Sequence, residues 1–377
     1  MEVGVQNVAK GVTADGSAGP GPRSAEKDSV VESIVITSGL SDGDPQLVDA
    51  LNLATFTDPG TIYQPVVNRL SPEVHHGMAD YTEQAVRSHV RQAVETAPVS
   101  RSGRTQVFAT AYTSTDGVDS SVTDAGYDIQ MNGFTTGVRY DVDKRTLIGG
   151  LLGADDGSIE GDLIDTDAQG LVVGAFAQYL VDEKSRTTLT ASLSYGGYDF
   201  DAARRSFQGP VNADDISSDA LEFAVGVRTV VYEKDGFRVT PNAALRYLDG
   251  SVDGFTESGS GVPLEVGGQD IESLLLELGV DVEYKLLEQV TLTGSLRYVT
   301  DFCNSSESIN ASFAATGTLA RPFAVSAPGI DDEAVALGLG VYYDFNETMR
   351  ASLSYSADFR FDSEDAHAIG VGASFGF

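Results

Sequence analysis

From Thr348 to the final Phe377 the chain alternates almost strictly. One parity reads Met349, Ala351, Leu353, Tyr355, Ala357, Phe359, Phe361; the other reads Thr348, Arg350, Ser352, Ser354, Ser356, Asp358, Arg360. After a short break the pattern resumes as Ile369, Val371, Ala373, Phe375, Phe377, with Gly and Ser between. Period two gives each strand one apolar and one polar face. Similar runs recur back to about residue 105, and so many of them in series form the weak, repeated signature of a membrane-spanning β-barrel.

The turns support that reading. Short charged turns fall at Asp143-Lys144-Arg145, Asp182-Glu183-Lys184, Glu233-Lys234-Asp235, Leu287-Glu288-Gln289 and Asn346-Glu347. Longer polar connections fall near 116–126, 156–165, 201–217, 250–269, 303–331 and 362–366. Five short and six long connections join twelve strands and alternate throughout, with tight turns on the periplasmic side and loops outside. The expected fold is therefore all-β, a 12-stranded antiparallel transmembrane barrel with both ends of the strand series periplasmic. Tyr140, Tyr179, Tyr232, Tyr284, Tyr342, Tyr343 and Phe345 lie near short turns, and Tyr195, Tyr247, Tyr298, Phe302 and Phe359 near long ones, as two interfacial belts would require.

Composition narrows the class. There is no run of 18 apolar residues, which excludes a transmembrane helix. Mean hydropathy is -0.08 and glycines number 41, both suited to strands that are half polar and line a crowded lumen. A net charge of -32 argues against nucleic acid, which needs a basic footprint. Cys303 is the single cysteine, so no intrachain disulfide or thiolate metal cluster can form.

Three regions precede or make up the barrel. Residues 1–47 read as a polar linker or passenger remnant carrying Gly19-Pro20-Gly21-Pro22 and one β-like run, Val30 to Thr37. Residues 48–98 read as a linker and a lumen helix, and 99–377 as the barrel. Met1 to Gln6 lack a basic and apolar export signal, so a fragment of a longer precursor, or a misassigned start, is expected. In the helix, Ser71 is a suitable N-cap, Pro72 suits the first position and Glu73 favours the positive end. Val74, Met78, Tyr81, Ala85, Val86, Val90, Ala93 and Val94 drift around one side, and Arg87, His89, Arg91 and Gln92 occupy the other, until Pro98 ends it. About 39 Å long, such a helix spans a bilayer core from inside a pore, and it is too polar to face lipid.

Charges on the polar parity of the strands point to a wet interior. Arg139, Arg228, Arg246, Arg297 and Arg350 share it with Glu222, Glu277, Asp281 and Glu283. A basic residue on the lipid face near the midplane would cost roughly 2–4 kcal/mol.

The helix opening Leu70-Ser71-Pro72-Glu73, the preceding Val48-Asp49-Ala50-Leu51, the strand count, Phe313 and Phe323 in the fifth long loop, Leu337 to Tyr342, and the terminal Phe375-Gly376-Phe377 together resemble an autotransporter translocator domain over roughly residues 48–377. The resemblance implies type V secretion: a Gram-negative outer-membrane barrel exports its own passenger segment and anchors it at the cell surface, while the helix plugs the lumen. It implies outer-membrane lipid, the barrel assembly machinery and periplasmic chaperones as partners, with Phe375 and Phe377 as the assembly signal. It points to Ser71, Pro72, Tyr81, Arg87 and Arg91 as lumen-helix residues, and to Arg139, Glu222, Arg228, Arg297 and Arg350 as lumen charges. The helix lacks the paired Asn of members that cleave themselves there.

No other chemistry has a matching motif. His75-His76 lacks helical zinc spacing, and there is no H-E-x-x-H, G-x-S-x-G, P-loop or dinucleotide fingerprint. No catalytic residue, cofactor or metal is expected. His367 with Asp362 or Asp365 forms a rim cluster whose simplest reading is loop chemistry. The alternative function is a porin-like channel or surface adhesin barrel whose extracellular loops bind ligands, but a porin has no use for an amphipathic helix of lumen length ahead of the first strand.

Overall fold

The computed structural model describes residues 63–95, 105–120, 125–303, 308–314, 322–326, 330, 333–360 and 364–377. The whole 1–47 segment with its β-like run at 30–37, and residues 48–62 and 96–98 of the 48–98 segment, lie outside these residues.

Two helices come first, α1 (Tyr63–Leu70) and α2 (Gly77–Glu95), with a 3-10 turn at Glu73–His76 between them. The break has a local cause, because the residue before a proline is pushed away from helical backbone, and here Ser71 precedes Pro72. Ser71 keeps a capping role: its Oγ accepts the Glu73 N–H at 3.4 Å. The expected single helix is thus a 3-10 turn followed by 19 residues of α-helix, about 28 Å long.

Twelve strands follow: β1 (Thr105–Val118), β2 (Tyr127–Asp141), β3 (Thr146–Glu160), β4 (Ile164–Asp182), β5 (Thr187–Ser206), β6 (Gly209–Arg228), β7 (Phe237–Val252), β8 (Gln269–Lys285), β9 (Val290–Asp301), β10 (Glu333–Asp344), β11 (Met349–Arg360) and β12 (Ala366–Gly376). Each pairs antiparallel with its neighbours, and β1 pairs with β12 through Val107↔Phe375 to Thr115↔His367, which closes the ring. Closure removes the sheet edges that a twelve-strand open sheet would have to protect. The turn before β7 shows the local chemistry: Asp235 and Gly236 both take positive φ, 51° and 80°, the geometry that an Asp-Gly hairpin supplies.

The lipid face is as the alternation requires. Leu171, Leu152, Leu193, Leu339 and Val371 are exposed, while their neighbours in sequence turn inward. Tyr342 departs from the expected lower belt, because its parity turns it inward over Arg350. Gly150 is on the outer face, and Gly149 faces in, where its missing side chain leaves room for the Phe176 ring.

Two of the expected long loops are strand instead. The β3–β4 connection is only residues 161–163, and β5 and β6, 20 residues each, meet across Phe207-Gln208. At roughly 3.3 Å per residue these strands run far past the ~25 Å apolar band. Above it the inward face is mostly apolar or small (Ala168, Phe200, Ala202, Ile216) apart from the buried Arg204, while Asp165, Asp167, Asp199 and Asp201 face water.

A second sheet sits over the outer opening. Its order is Phe323–Ser326, Ser308–Phe313, Leu264–Val266, Phe255–Thr256, drawn from the β7–β8 and β9–β10 connections. Val67 and Leu70 of α1 are buried against its Val262, Leu264, Ile309, Phe313 and Val325. This small cap grips the chain just before it enters the barrel.

Candidate functional site

The lumen is the site. Helix α2 lies inside it, packed chiefly against β2 to β8. Its N-terminal end is at the loop rim: Glu73 Oε1 accepts the Ala125 N–H at 2.9 Å, in the β1–β2 connection. Its C-terminal end is at the short-turn rim, where Arg139 of β2 donates to the Ala93 carbonyl. Of the expected polar side of the helix, His89 is as deeply buried as Val86 and Val90, while Arg87, Arg91 and Gln92 are half-buried.

On one flank the helix meets a ladder of alternating charge. Arg91 Nη2 lies 3.3 Å from Glu277 on β8, and Arg246 on β7 bonds Glu277 at 2.8 Å and Glu222 on β6 at 3.2 Å. Arg87 lies 3.8 Å from Glu222 and pairs along the helix with Glu83. Arg87 and Arg91, one turn apart, thus reach carboxylates two strands apart. Three arginines and three glutamates balance, which is what allows charge so far from bulk water.

On the opposite flank is a network that the sequence analysis missed. His89 Nε2 is 2.9 Å from Asp155 Oδ2 on β3, its Nδ1 is 2.7 Å from Thr135 Oγ1 on β2, and Tyr81 donates to Asp155 Oδ1 at 2.8 Å. Tyr81 also meets Tyr198 and Phe200 edge-on at 6.0 and 5.7 Å. The only sequence signal was an acid, Asp155, on an otherwise apolar or small inward parity of β3.

The remaining expected residues are dispersed. Arg139 lies over Phe108 at 4.5 Å, below the helix rather than in the ladder. Arg228 faces the lumen near the short-turn rim, apart from the ladder. Arg297 pairs with Asp281 at 3.5 Å, and Arg350 holds Asp344 through two bonds of 2.6 and 2.9 Å while stacking on Tyr342. Phe375 and Phe377 lie at the seam, with rings 4.8 Å apart and the Phe377 N–H donating to Thr105 O at 2.9 Å. His367 lies on the outer face against Tyr355, with Nδ1 3.1 Å from its hydroxyl; Asp362 is outside the described residues.

A further buried cluster ties the cap to the barrel. Glu257, in the cap, takes Nε and Nη2 of Arg204 from β5, His75 Nε2 at 2.9 Å and the Leu264 N–H at 2.8 Å. Arg204 also donates to the carbonyl of Arg69, the penultimate residue of α1. Burial alone would raise the Glu257 carboxyl, but Arg204 and then His75 hold it down at about 2. Burial lowers the His75 imidazole despite the pull of Glu257.

The chain runs through the closed ring as α2, from the loop rim to the short-turn rim. Residues 107–356 match the autotransporter beta-domain family. The chain belongs to the autotransporter β-domain family. It is an outer-membrane translocator, and its barrel sits in the bacterial outer membrane. Solved autotransporter barrels share the fold. The translocator domain of NalP from Neisseria meningitidis is 16% identical, with a TM-score of 0.62, over 81% of this chain and 96% of that one. The transport unit of AIDA-I from Escherichia coli gives 8% identity and 0.53 over 81% and 100% of the two chains. The β-domain of Bordetella BrkA gives 17% and 0.52 over 73% and 100%. No curated protein matches the chain.

Proposed function

We propose that this barrel passes its own N-terminal segment to the cell surface and then retains it there, with α2 left in the pore as a plug. The observation that carries this reading is the polarity of α2. Its C-terminal end lies at the short-turn rim, where β1 begins, and its N-terminal end lies under the cap. Chain preceding α1 therefore emerges on the loop side of the membrane. In this reading the domain works as conduit and anchor rather than as a catalyst, and the exported segment stays attached, since α2 carries no Asn.

The same reading makes the seam residues Phe375 and Phe377 the recognition element for the assembly machinery and its periplasmic chaperones. Both side chains are exposed on the lipid face, where a membrane-embedded partner can reach them. Deleting Phe377 should lower the yield of folded barrel in cells about tenfold while leaving refolding in detergent unchanged.

The test of export is a tag ahead of residue 63 in intact cells. External protease should remove it, and a tag protected until the outer membrane is breached overturns the reading. The purified chain should also show low single-channel conductance that rises when residues 1–98 are deleted.

A further inference from the structure

We propose that β3 is a keyed seat that fixes how far α2 sits in the pore, with Gly153 and Gly157 as sockets and Asp155 as the catch between them. The inference rests on the plugged-translocator reading and adds what stops the helix at one depth.

The fit between helix and strand is reciprocal in size. A Cβ on Gly153 would lie 2.6 Å from Cγ of the His89 ring, and one on Gly157 would meet the Gln130 backbone carbonyl of β2 and then the Tyr81 ring at 2.8 Å. Further toward the loop rim the sizes exchange, and Gly77 of the helix yields to Ile159, whose Cγ2 would be 2.8 Å from an added Cβ. Large meets absent three times in register. The spacing agrees too. Tyr81 and His89 are eight residues apart, about 12 Å of helix rise, and Gly157 and Gly153 are four apart, about 13 Å of strand. Asp155, midway, accepts from both rings. Thr135, bonded to His89 Nδ1, is the cross-strand partner of Gly153.

A one-turn slip of the helix would drive a ring into the wall, strand Asp155 without donors and bring Ile159 onto a side chain larger than glycine. Each fault is penalised in a dry interior. The charge ladder on the other flank is less selective, since Arg87 and Arg91 repeat at the length of one turn and could re-pair after a slip. Depth is therefore set by β3, and with it the residue at which outward movement of the chain ends.

The seat is tested by a disulfide reporter on a different wall. A Cβ on Gly196 of β5 would lie 2.7 Å from Val86 Cγ2, so Val86→Cys with Gly196→Cys, in a Cys303→Ser background, reports the seated depth. In the full refolded chain this pair should oxidise readily. Gly153→Leu should slow the crosslink at least tenfold, while Gly150→Leu on the lipid face of the same strand should leave it unchanged. Adding His89→Ala to Gly153→Leu should restore it by removing the ring that the new side chain hits. Where a strand variant fails to show the heat-modifiable mobility of a folded barrel, Asp155→Leu carries the test, with the same slowing expected. An unaltered rate in these variants, or slowing without rescue, overturns the seat. No crosslink in the reporter alone, in a folded barrel, refutes the plug itself.

Discussion

Arg204 and Glu257 form a two-point ion pair in which both side chains are about 1% exposed. The pair joins a barrel strand to the cap, and a further bond from Arg204 to the Arg69 carbonyl adds the chain entering the pore. Removing one partner of such a pair strands the other charge. Arg204→Met should destabilise the cap by about 3–5 kcal/mol. Limited proteolysis within 253–268 and 308–326 should accelerate accordingly, while the heat-modifiable mobility of the barrel stays unchanged. Protection equal to wild type would show that the cap stands without the pair.

The cap should loosen in acid. Glu257 is held at about 2, below its ordinary 4.5, so its contribution is complete above about 5 and is lost as pH falls toward 2. His75 is buried neutral and held below 6.5, so its contribution also lies above 6.5 and declines as the pH drops. The groups facing His75 are Glu257, Arg204 and the Phe255 ring. Amide exchange in the cap should therefore be slowest above about pH 6.5 and rise steadily below it. Glu257→Gln should flatten the acid end of that profile. A pH-independent rate in wild type would contradict the assignment.

Salt should stabilise the projecting wall. Glu160 faces Asp165, Asp167 faces Asp201, and Asp249 faces Glu272 across paired strands, all on the water side. Like charges directly opposite repel, and the Debye length falls to about 10 Å at 0.1 M salt. The unfolding midpoint of the detergent-solubilised barrel should climb on the order of 5 °C between 20 mM and 0.5 M NaCl. Asp201→Asn with Glu272→Gln should reduce that climb; an unchanged salt response would locate the repulsion elsewhere.

Arg139 closes the lower end of the plug through the Ala93 carbonyl and the Phe108 face. Arg139→Ala should cost about 2–3 kcal/mol locally. Exchange of the amides in 90–95 should speed up selectively, with those of 78–86 held by the β3 seat. Uniform acceleration along the helix would show that the two ends are not separately fixed.

The barrel was readable because alternation survives wherever one face meets lipid, as in Leu221, Phe223, Val225 and Val227 against Glu222, Ala224 and Gly226. It misled at 156–165 and 201–217, where the outer face meets water, so Asp165, Asp167, Asp199 and Asp201 look like loop composition although Thr166, Phe200 and Ala202 keep the strand parity. Parity alone puts the arginines on the polar face of their strands. Their partners were only partly evident, because the register that sets Glu222 and Glu277 on either side of Arg246 is a property of three paired strands. The cap left almost no trace, its strands being two to six residues long and paired across separate connections. Tyr81 was singled out on the helix, but the Asp155–His89 contact was hidden: nothing in a helical wheel says which glycine on which strand will receive a ring.

The seam between β1 and β12 has a temporal consequence. The twelfth strand is hydrogen-bonded to the first, Gly376 opposite Gln106, so the cylinder cannot be sealed until all twelve strands have been made. Maturation must wait for the twelfth strand, and until then a long amphipathic ribbon has to be kept from pairing with others of its kind. Because α2 directly precedes β1, whatever occupies the pore at the instant the ends meet is enclosed by the same event that completes the wall.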